Sequence, residues 1–359
     1  MQEFHCKTRI IAGEDALDWL NGRKCRQLLV VADPYFAQSG WAERIANRVQ
    51  AEKRDYFTKV KPDPTVELAA EGTALMRQIK PDLLIALGGG SAMDTAKAMV
   101  YFAGEGVTFV AIPTTSGSGS EVTNFSVLTH GDGKHPLIDS RMQPDVAILA
   151  AELVEKLPPS LVADGGFDVL SHAAEAFVGT NADGISRALA GSAFATVFAL
   201  LPASFRGETR VRGDVHLAST MAGMAFSQAG LGMCHALSHS MGGVFHLPHG
   251  RLNAILLPEV IACNESAAAD YAKLARMAGL LGSADTICVR NLRNGLIRLR
   301  KELHLPATLQ EAGIARKQIR QHADAIIAAA MKDPCMQTNP GKADVQALRR
   351  VLEAVSGRG

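Results

Sequence analysis

The sequence lacks the paired cysteines that mark small zinc sites and disulfide frameworks. Its six cysteines (Cys6, Cys25, Cys234, Cys263, Cys288 and Cys335) are scattered, and no C-x-x-C pair occurs. This spacing argues against a zinc ribbon, a redox dithiol and a secreted disulfide scaffold. We interpret Cys234, which stands beside a histidine, as a small buried hydrophobic residue.

An excess of charge and a long apolar run are missing as well. Lys and Arg total 37 against 36 Asp and Glu, so a polyanion such as nucleic acid is not the expected partner. Gly, Pro or charged residues interrupt each apolar run well before the roughly 20 residues of a membrane span. The first residues, MQEFHCKTRI, lack the apolar core of a signal peptide, so we expect a cytoplasmic protein.

A chain of 359 residues is too long for one typical core and favours two domains. After Pro158-Pro159 the strand-like runs stop, and residues at helical spacing continue to the end, with breaks expected at Gly207, Gly213, Pro248, Pro258, Pro306 and Gly341. We therefore predict an α/β domain over residues 1–155 and an all-helical domain over residues 156–359.

Histidines are concentrated in one stretch of the helical half. Residues 230–250, GLGMCHALSHSMGGVFHLPHG, contain four of the eleven histidines. His235 and His239 are four residues apart and share a helical face, and His249 follows beyond a break expected at Gly242-Gly243. Each alone suits a core or surface position, but imidazoles from a helix and a following loop can converge on one divalent transition metal.

A second stretch, residues 163–177 (ADGGFDVLSHAAEAF), offers a further set of ligands. Asp168 and His172 stand at i and i+4 within an apolar helical pattern. Burying both is costly unless each is bonded to something, and a metal would satisfy both. The alternative is a helix-capping aspartate with a lone histidine. Together the two stretches offer one Asp and three His, a ligand set suited to iron(II) or zinc.

The first half has the pattern of a Rossmann-like parallel sheet that binds a nucleotide. Residues 27–32 (QLLVVA) predict a buried strand that ends at Asp33, where a carboxylate can accept a hydrogen bond from a ribose 2'-hydroxyl and repel a 2'-phosphate. A turn-forming Asp-Pro pair is the alternative reading. Helices are predicted over residues 41–51 and 66–79.

Two loops after the next strands suit a phosphate-bearing ligand. Residues 82–87 (DLLIAL) run into Gly88-Gly89-Gly90-Ser91, with Asp94 and Lys97 in the helix that follows. A strand, a glycine loop and a helix N-terminus can bring backbone N–H groups to a pyrophosphate, although an unliganded tight turn would look the same and G-x-G-x-x-G is absent. Residues 113–121 (PTTSGSGSE) follow the strand at 108–112 and favour a phosphate or adenine contact over a linker.

The segments GGGSAMDTAK, PTTSGSGSEVT, GGFDVLSHAAEAF, HALSHSMGGVFHLPHG and DPCMQTNP resemble the iron-containing (group III metal-dependent) alcohol dehydrogenases over the full length. The segment STMAGMAFSQAGLGMCHALSHSMGG is most similar to the propanol and ethanol dehydrogenases of bacterial microcompartments. The resemblance implies a dehydroquinate synthase-like architecture, in which an α/β nucleotide-binding domain and an all-α metal-binding domain hold the cofactor in the cleft.

Matching the chain to this family residue by residue implies its site. The positions that match the metal ligands are Asp168, His172, His235 and His249. His239 matches a non-ligand histidine near substrate and nicotinamide, and His246 is an additional histidine read as a pocket or surface residue. Cofactor-contact positions fall on Asp33, Asp63, Gly89, Gly90, Ser91, Thr114, Thr115, Ser118 and Lys134, and Asp94 is a further candidate for binding the cofactor.

The implied activity is NAD(H)-dependent interconversion of a short-chain primary alcohol and its aldehyde, with Fe2+ or Zn2+ as Lewis acid and His239 as proton relay. The resemblance also implies a homodimer, in the cytoplasm or in a microcompartment beside an aldehyde dehydrogenase or shell protein. A glycerol or propanediol/lactaldehyde dehydrogenase is an alternative. A dehydroquinate synthase-like lyase is disfavoured by the missing Lys and Arg cluster beside the metal motifs, and a non-catalytic scaffold by the intact ligand set.

Overall fold

A computed structural model describes residues 4–104, 106–131 and 133–357, with only the backbone of Lys134. The chain divides into two compact units. The first contains His5–Leu157, and the second contains residues 158–357 together with Phe4.

The first unit is built on a six-stranded parallel sheet in the order β1-β8-β5-β4-β2-β3. Its strands are β1 (Arg9–Gly13), β2 (Lys24–Ala32), β3 (Gln50–Phe57), β4 (Leu83–Gly88), β5 (Thr108–Pro113) and β8 (Val146–Ala150). A separate antiparallel hairpin consists of β6 (Phe125–His130) and β7 (Gly133–Ile138). Chain order reverses between β2 and β4, so the loops after these two strands flank the switch point at which open α/β sheets bind ligands.

Alternation along the central strands fills both faces of the sheet. Leu28 and Val30 face one core with Ile45, whereas Leu29 and Val31 face another core that contains Met99. The helices of this unit are α1 (Pro34–Gln38), α2 (Trp41–Arg48), α3 (Val66–Ile79), α4 (Gly90–Ala103) and α5 (Ala151–Val154). Such two-sided burial explains why these strands read as continuous apolar runs in the sequence.

The second unit is helical in every regular element that the structure describes there. Its α-helices are α6 (Pro159–Val178), α7 (Gly184–Phe205), α8 (Arg212–Ala229), α9 (Met233–Phe245), α10 (His249–Cys263), α11 (Ala268–Met277), α12 (Asp285–Glu302), α13 (Arg316–Ala330) and α14 (Val345–Val355). Short 3-10 helices lie between them, including Pro334–Thr338. The predicted change from strands to helices after Pro158-Pro159 is confirmed.

Several predicted boundaries are wrong. The helix expected over residues 41–51 ends at Arg48, because Gln50 begins β3, a charged edge strand that pairs with β2. The break expected at Gly242-Gly243 does not occur, since both glycines lie inside α9, which ends instead at His246 with φ of 54°. Gly213 likewise lies within the first turn of α8.

Pro258 also fails to break its helix, and a buried arginine explains why. Pro258 lies inside α10 and has no N–H to donate to the carbonyl oxygen of Ala254, four residues earlier. The Arg300 guanidinium donates to that oxygen instead, at 3.1 Å. A side chain from α12 therefore satisfies the carbonyl that the proline leaves without its helical partner.

Among the described residues one helix, α7, is long and apolar enough to cross a membrane by length and composition alone. Arg187, Gly191 and Pro202 interrupt its apolar sequence, as expected, but the helix continues through all three. It packs against α6 and α8 and buries Phe194 and Val197. A helix in a domain core passes the same test.

Candidate active site

Three helices bring the predicted metal ligands together. Asp168 lies in the middle of α6, His235 in the first turn of α9, and His249 is the first residue of α10 rather than part of a loop. One ligand atom from each of these three lies within 4.8 Å of the others. His172, one turn after Asp168, stacks on His235 with ring centroids 4.4 Å apart.

The separations between these groups suit coordination better than hydrogen bonding. Asp168 Oδ1 lies 3.9 Å from His172 Nε2, 3.9 Å from His235 Nε2 and 3.5 Å from His249 Nε2. N–H···O hydrogen bonds are about 2.7–3.2 Å long. Ligand bonds of about 2.0–2.2 Å to one ion place neighbouring ligand atoms nearer to 3.5 Å. The donor set therefore fits a divalent transition metal.

Two further side chains turn the imidazoles toward Asp168. The Glu175 carboxylate accepts from His235 Nδ1 at 2.7 Å, and Ser238 Oγ contacts His249 Nδ1 at 2.9 Å. In each ring the bonded Nδ1 leaves Nε2 to face Asp168, the arrangement that outer partners usually impose on metal-binding histidines. Glu175 and Ser238 are both buried.

Glu175 also fixes the start of α9. Its carboxylate accepts from the backbone N–H of Gly232 at 2.9 Å and of Cys234 at 2.6 Å. A carboxylate at a helix N-terminus satisfies amides that have no partner within the helix and interacts favourably with the helix dipole. One buried side chain therefore holds both the start of the helix and the orientation of His235.

The charges at the site favour a carboxylate surrounded by imidazoles. Burial alone would raise the pKa of Asp168, but the nearby imidazoles of His172 and His249 outweigh burial and hold that pKa well below its usual range. Burial lowers the pKa of His249 far below its ordinary value and outweighs the raising effect of the Asp168 carboxylate, with a further lowering by the imidazole of His239. For His235, burial lowers the pKa, but hydrogen bonds to Asp168 and Glu175 outweigh it and raise the pKa to about 9. Asp168 therefore stays ionised and His249 neutral, the forms in which each binds a cation, whereas His235 must lose a proton when a metal binds.

The close approach of α10 to α6 requires a glycine beside His249. A Cβ at Gly250 would lie 1.8 Å from the carbonyl oxygen of Asp164, which belongs to α6. Arg251 then donates twice to the Asp164 carboxylate, at 3.2 and 3.0 Å. Close backbone contact and a bidentate ion pair thus set the position from which His249 reaches Asp168.

His239 lies beside this cluster but outside it. Its ring stacks on that of His249 with centroids 5.2 Å apart, while its Nδ1 contacts Asp333 Oδ2 at 2.8 Å. His246, read from the sequence as a pocket or surface residue, is exposed and forms the left-handed C-cap of α9. Cys234 is fully buried, and its thiol is directed to Asn253.

Sequence reasoning missed Glu175, Ser238, Asn253 and Asp333. Three of the four carried a signal. Glu175 is seven residues after Asp168 on the same helical face, Ser238 is three after His235, and Asn253, whose side chain donates to Asp168 Oδ1 at 2.9 Å, is four after His249. Asp333 begins the DPCMQTNP motif, but its distance from His239 in sequence gave no hint of their contact.

In the first unit the predicted nucleotide residues meet at the ends of β2 and β4. Asp33 Oδ1 accepts from Phe36 N at 3.1 Å and caps α1, as the turn reading expected. Its Oδ2 lies over Gly88, where a Cβ would approach it to 3.1 Å. Burial raises the pKa of Asp33, and the amide of Phe36 acts in the opposite direction. The same carboxylate therefore serves the turn and also borders the glycine loop.

The two glycine- and hydroxyl-rich loops also pack on each other. A Cβ at Gly89 would lie 3.2 Å from Thr115 Oγ1, and a Cβ at Gly90 would lie 3.5 Å from Ser118 Oγ. Gly88 has φ of 154°, and a Cβ there would meet Ala92 at 2.5 Å. No side chain caps the N-terminus of α4, so its first amides are available to an anion.

A buried lysine joins α4 to the end of the second loop and to the segment that follows it. Lys97 is fully buried, and its Nζ donates to Ser120 Oγ, Thr123 Oγ1 and the Phe125 carbonyl at 2.8–2.9 Å. Burial lowers the pKa of Lys97 to about 8 against the raising effect of Asp94. The predicted residue Asp94 also accepts from Ser120 Oγ, at 3.3 Å.

The remaining predicted cofactor contacts are distributed around these loops. Thr114 is buried and its N–H donates to the Gly88 carbonyl at 3.0 Å, and Ser91 lies in the first turn of α4. Asp63 is exposed in the loop between β3 and α3, with φ of 52°. Lys134 lies on β7, and its side chain is outside the described residues.

Both halves of the chain match models of one protein family. The model described as iron-containing alcohol dehydrogenase matches residues 7–151. The model described as the C-terminal part of the Fe-containing alcohol dehydrogenase family matches residues 162–356.

Relatives and solved structures agree with this match. The chain is 40% identical to 1-propanol dehydrogenase PduQ of Citrobacter freundii, over 98% of this chain and 99% of that protein. It is 36% identical to an NADPH-dependent butanol dehydrogenase of Clostridium saccharobutylicum, over 99% and 98% of the two chains. An iron-containing alcohol dehydrogenase from Thermococcus thioreducens superposes with a TM-score of 0.90 at 32% identity, covering 98% of this chain and 99% of that one. The chain therefore belongs to the iron-containing alcohol dehydrogenase family and is an alcohol-oxidising and aldehyde-reducing enzyme of that family.

Proposed function

We propose that this protein interconverts a short-chain primary alcohol and its aldehyde with NAD(H), and that Asp168, His172, His235 and His249 hold an Fe2+ ion for this reaction. The observation that carries the proposal is the orientation of His235 and His249. Glu175 and Ser238 take the Nδ1 atoms, so both Nε2 atoms face one buried carboxylate oxygen. This is the donor chemistry of a catalytic metal centre with room for a substrate oxygen.

When bound, the ion polarises the oxygen of the alcohol or aldehyde and stabilises negative charge on it. The chain's residues do the rest. The four ligands fix the ion on rigid helices. Asn253 donates a hydrogen bond to Asp168 Oδ1 and so fixes the orientation of that carboxylate. Because the ligand side chains are mostly buried, water is largely excluded from the charged groups, which strengthens their electrostatic effect.

His239 is the proposed proton relay. With Nδ1 bonded to Asp333, its other nitrogen, Nε2, is left to exchange a proton with the substrate oxygen. Imidazole suits this role because it changes charge near neutral pH. The ring stacks on His249 without joining the compact ligand set, which supports a role beside the ion rather than on it.

The proposed nucleotide site consists of Asp33, the glycine loop with Ser91 and Asp94, the loop of Thr114, Thr115 and Ser118, and the outlying Asp63 and Lys134. NAD supplies the hydride acceptor and NADH the hydride donor. The Asp33 carboxylate beside Gly88 supports NAD over NADP, because a negative charge there repels a 2'-phosphate. The butanol dehydrogenase relative is described as NADPH-dependent, so this preference needs its own test.

The substrate class follows from the relatives. Propanol and butanol dehydrogenases at 40% and 36% identity support a short primary alcohol. A polyol dehydrogenase is the second candidate, favoured by a 1,3-propanediol oxidoreductase structure at 26% identity and a TM-score of 0.91.

The test is anaerobic purification, metal analysis and an NADH-oxidation screen with short aldehydes, lactaldehyde and dihydroxyacetone. We expect propanal or acetaldehyde to be reduced fastest, Fe(II) to restore activity lost in air, and Zn(II) to restore it less. A preference for dihydroxyacetone would favour the polyol reading. Full activity in the zinc form, unchanged by iron, would contradict the iron assignment.

The resemblance to the propanol and ethanol dehydrogenases of bacterial microcompartments supports three further proposals, on the domain bounds, the oligomeric state and the location. We propose a nucleotide domain over residues 1–155 and a metal domain over 156–359, a homodimer, and a cytoplasmic location that includes a bacterial microcompartment. Sedimentation analysis tests the dimer. Co-purification with an aldehyde dehydrogenase or a shell protein from the native cells tests the location, and recovery only in the free cytoplasmic fraction would contradict it.

A further inference from the structure

A second group of metal-binding side chains lies beside the proposed metal centre. His239, Asp333 and Cys335 each place one ligand atom within 4.8 Å of the other two. His239 comes from α9, and the other two come from the start of the 3-10 helix Pro334–Thr338. All three residues are partly buried, and the side chain of His239 is 35% exposed. The proposed function uses only His239 from this group.

The group is held in place before any ion binds. Asp333 Oδ1 accepts from Cys335 N at 2.8 Å, which fixes the carboxylate against the cysteine two residues later. Its Oδ2 contacts His239 Nδ1 at 2.8 Å. Thr338 Oγ1 donates to the Leu231 carbonyl at 2.6 Å and ties the 3-10 helix to the segment before α9. These contacts keep the three side chains close together, and a bound ion would replace the hydrogen bond between Asp333 and His239.

We propose that His239, Asp333 and Cys335 form a second metal site, selective for zinc and similar thiophilic divalent cations. An imidazole nitrogen, a carboxylate oxygen and a thiolate sulfur are three of the ligands that zinc prefers, and a water molecule can complete a tetrahedron. The carboxylate and the thiolate together supply two negative charges, which balance the dication. The neighbouring site of one carboxylate and three imidazoles has no sulfur. Thiophilic ions such as zinc should therefore prefer the second site more strongly than iron(II) does.

Zinc binding at this site requires a defined movement of protons. The Cys335 thiol loses its proton to solvent as the sulfur–zinc bond forms. For zinc to bind His239 Nδ1, the hydrogen bond to Asp333 breaks and the Nδ1 proton passes to solvent, while Nε2 keeps its proton or takes one from solvent, so that the neutral ring carries its proton on Nε2. A ring in that state has no free nitrogen to accept a proton from the substrate. Zinc at the second site therefore blocks the relay, and this inhibitory consequence rests on the proposed function, whereas zinc binding itself does not.

Zinc binding is measured first, on protein already loaded with one zinc per chain. Zinc uptake by the first site then cannot be mistaken for binding at the second site. Equilibrium dialysis with zinc should give a second equivalent in the wild type. Cys335→Ser, which keeps the size of the side chain, and Cys335→Ala should each weaken it by more than about 100-fold. Cys263→Ala is the matched control, because Cys263 is also a half-buried thiol in this unit and its sulfur contacts the Ala347 carbonyl rather than His239 or Asp333. It should retain the second zinc.

Cobalt(II) gives an absorption spectrum that identifies a sulfur ligand. A thiolate-to-cobalt charge-transfer band should appear with the second equivalent, remain in Cys263→Ala and vanish in Cys335→Ser. The absence of a second zinc in wild type, or a second zinc and a cobalt band that persist without Cys335, would overturn the site.

Inhibition is measured separately on the iron-loaded enzyme, with the retained iron quantified in the same samples. Added zinc should reduce turnover in wild type and in Cys263→Ala, with iron still bound, and should reduce it far less in Cys335→Ser. Oxidoreductase activity without a second zinc would refute this inference alone. A second zinc in a protein that turns over no alcohol or aldehyde would refute the proposed function alone.

Discussion

The two units of this protein each bury an ionic group, and they hold it in opposite ways. Lys97 of the first unit is an ammonium whose three hydrogen bonds go to neutral oxygens, two hydroxyls and a carbonyl, with the Asp94 carboxylate nearby. Asp168 of the second unit is a lone carboxylate surrounded by nitrogens from three imidazoles and an amide. The ammonium is fully satisfied by the protein, whereas three of the nitrogens around Asp168 lie beyond hydrogen-bond length.

This difference separates a structural charge from a functional one. Lys97 fastens a helix to a loop and needs no ligand to complete its bonding. In the proposed metal site a cation would complete the bonding of the groups around Asp168, and the contacts of Glu175 and Ser238 orient His235 and His249 toward it. We therefore expect substitutions at the proposed site of the second unit to reduce metal content and turnover. Substitutions in the first unit should reduce nucleotide affinity instead.

Removing a metal ligand should produce the largest effect. His249→Ala leaves Asp168 with one fewer partner and opens the start of α10, so we expect loss of bound metal and a fall in turnover of more than about 1,000-fold. NADH binding should persist, because the proposed nucleotide residues belong to the other unit. Metal analysis and NADH fluorescence titration measure the two outcomes. His322→Ala serves as the control, because His322 is a partly buried histidine of α13 that packs on Phe245. Stoichiometric metal with near-normal activity would remove His249 from the ligand set.

His239→Ala should come next, with metal retained. Loss of a proton relay costs roughly 100- to 10,000-fold in turnover. The dependence of kcat on pH should also change, because the variant lacks the group that exchanges the proton. Metal content and a pH profile distinguish this variant from the preceding one. A variant that has lost its metal would mean that relay and ligand have been exchanged.

The sequence predicted the helical site better than its surroundings. Asp168 with His172, and His235 with His239, were visible because a helix repeats a face every three to four residues, and Glu175 followed the same rule. The contact of His239 with Asp333 was not visible, since it joins residues far apart in the chain. In the sheet, the buried central strands were predicted because their apolar runs are continuous. The edge strand β3 was missed because its charged residues face solvent.

Glu175→Gln should weaken the metal centre without removing a ligand. Glutamine has the shape of glutamate, but its amide nitrogen would face either His235 Nδ1 or the Cys234 N–H, both of which Glu175 now binds as an acceptor. If it faces Nδ1, the ring moves its proton to Nε2 and cannot bind a metal through that atom. We expect metal affinity to fall by about 10- to 100-fold. Competition with a chelator measures it, and Glu302→Gln, an exposed substitution, should bind metal normally.

Lys97→Met should show the opposite pattern. The hydroxyls of Ser120 and Thr123 and the Phe125 carbonyl lose a charge-assisted donor, at a cost of about 1–3 kcal/mol for each group left unsatisfied. The loop of Thr115 and Ser118 then loosens against α4. We expect a lower midpoint of thermal unfolding and a higher KM for NAD, with metal content unchanged. Lys53→Met, an exposed substitution on β3, is the control. Loss of metal in Lys97→Met would show that the two units do not fail separately.

The smallest effect should be a change of nucleotide preference at Asp33, and two substitutions separate its two roles. Asp33→Asn keeps a side-chain oxygen to cap Phe36 N–H but removes the charge over Gly88, whereas Asp33→Gly removes both. If the charge excludes a 2'-phosphate, both variants should gain activity with NADP relative to NAD. One lost charge interaction of about 1.4 kcal/mol corresponds to about tenfold in this ratio. If only the cap matters, Asp33→Asn should behave as wild type and Asp33→Gly should lose activity equally with both nucleotides. A wild type that already prefers NADPH would show that Asp33 does not border the ribose, and nucleotide choice would then rest on residues outside the glycine loop.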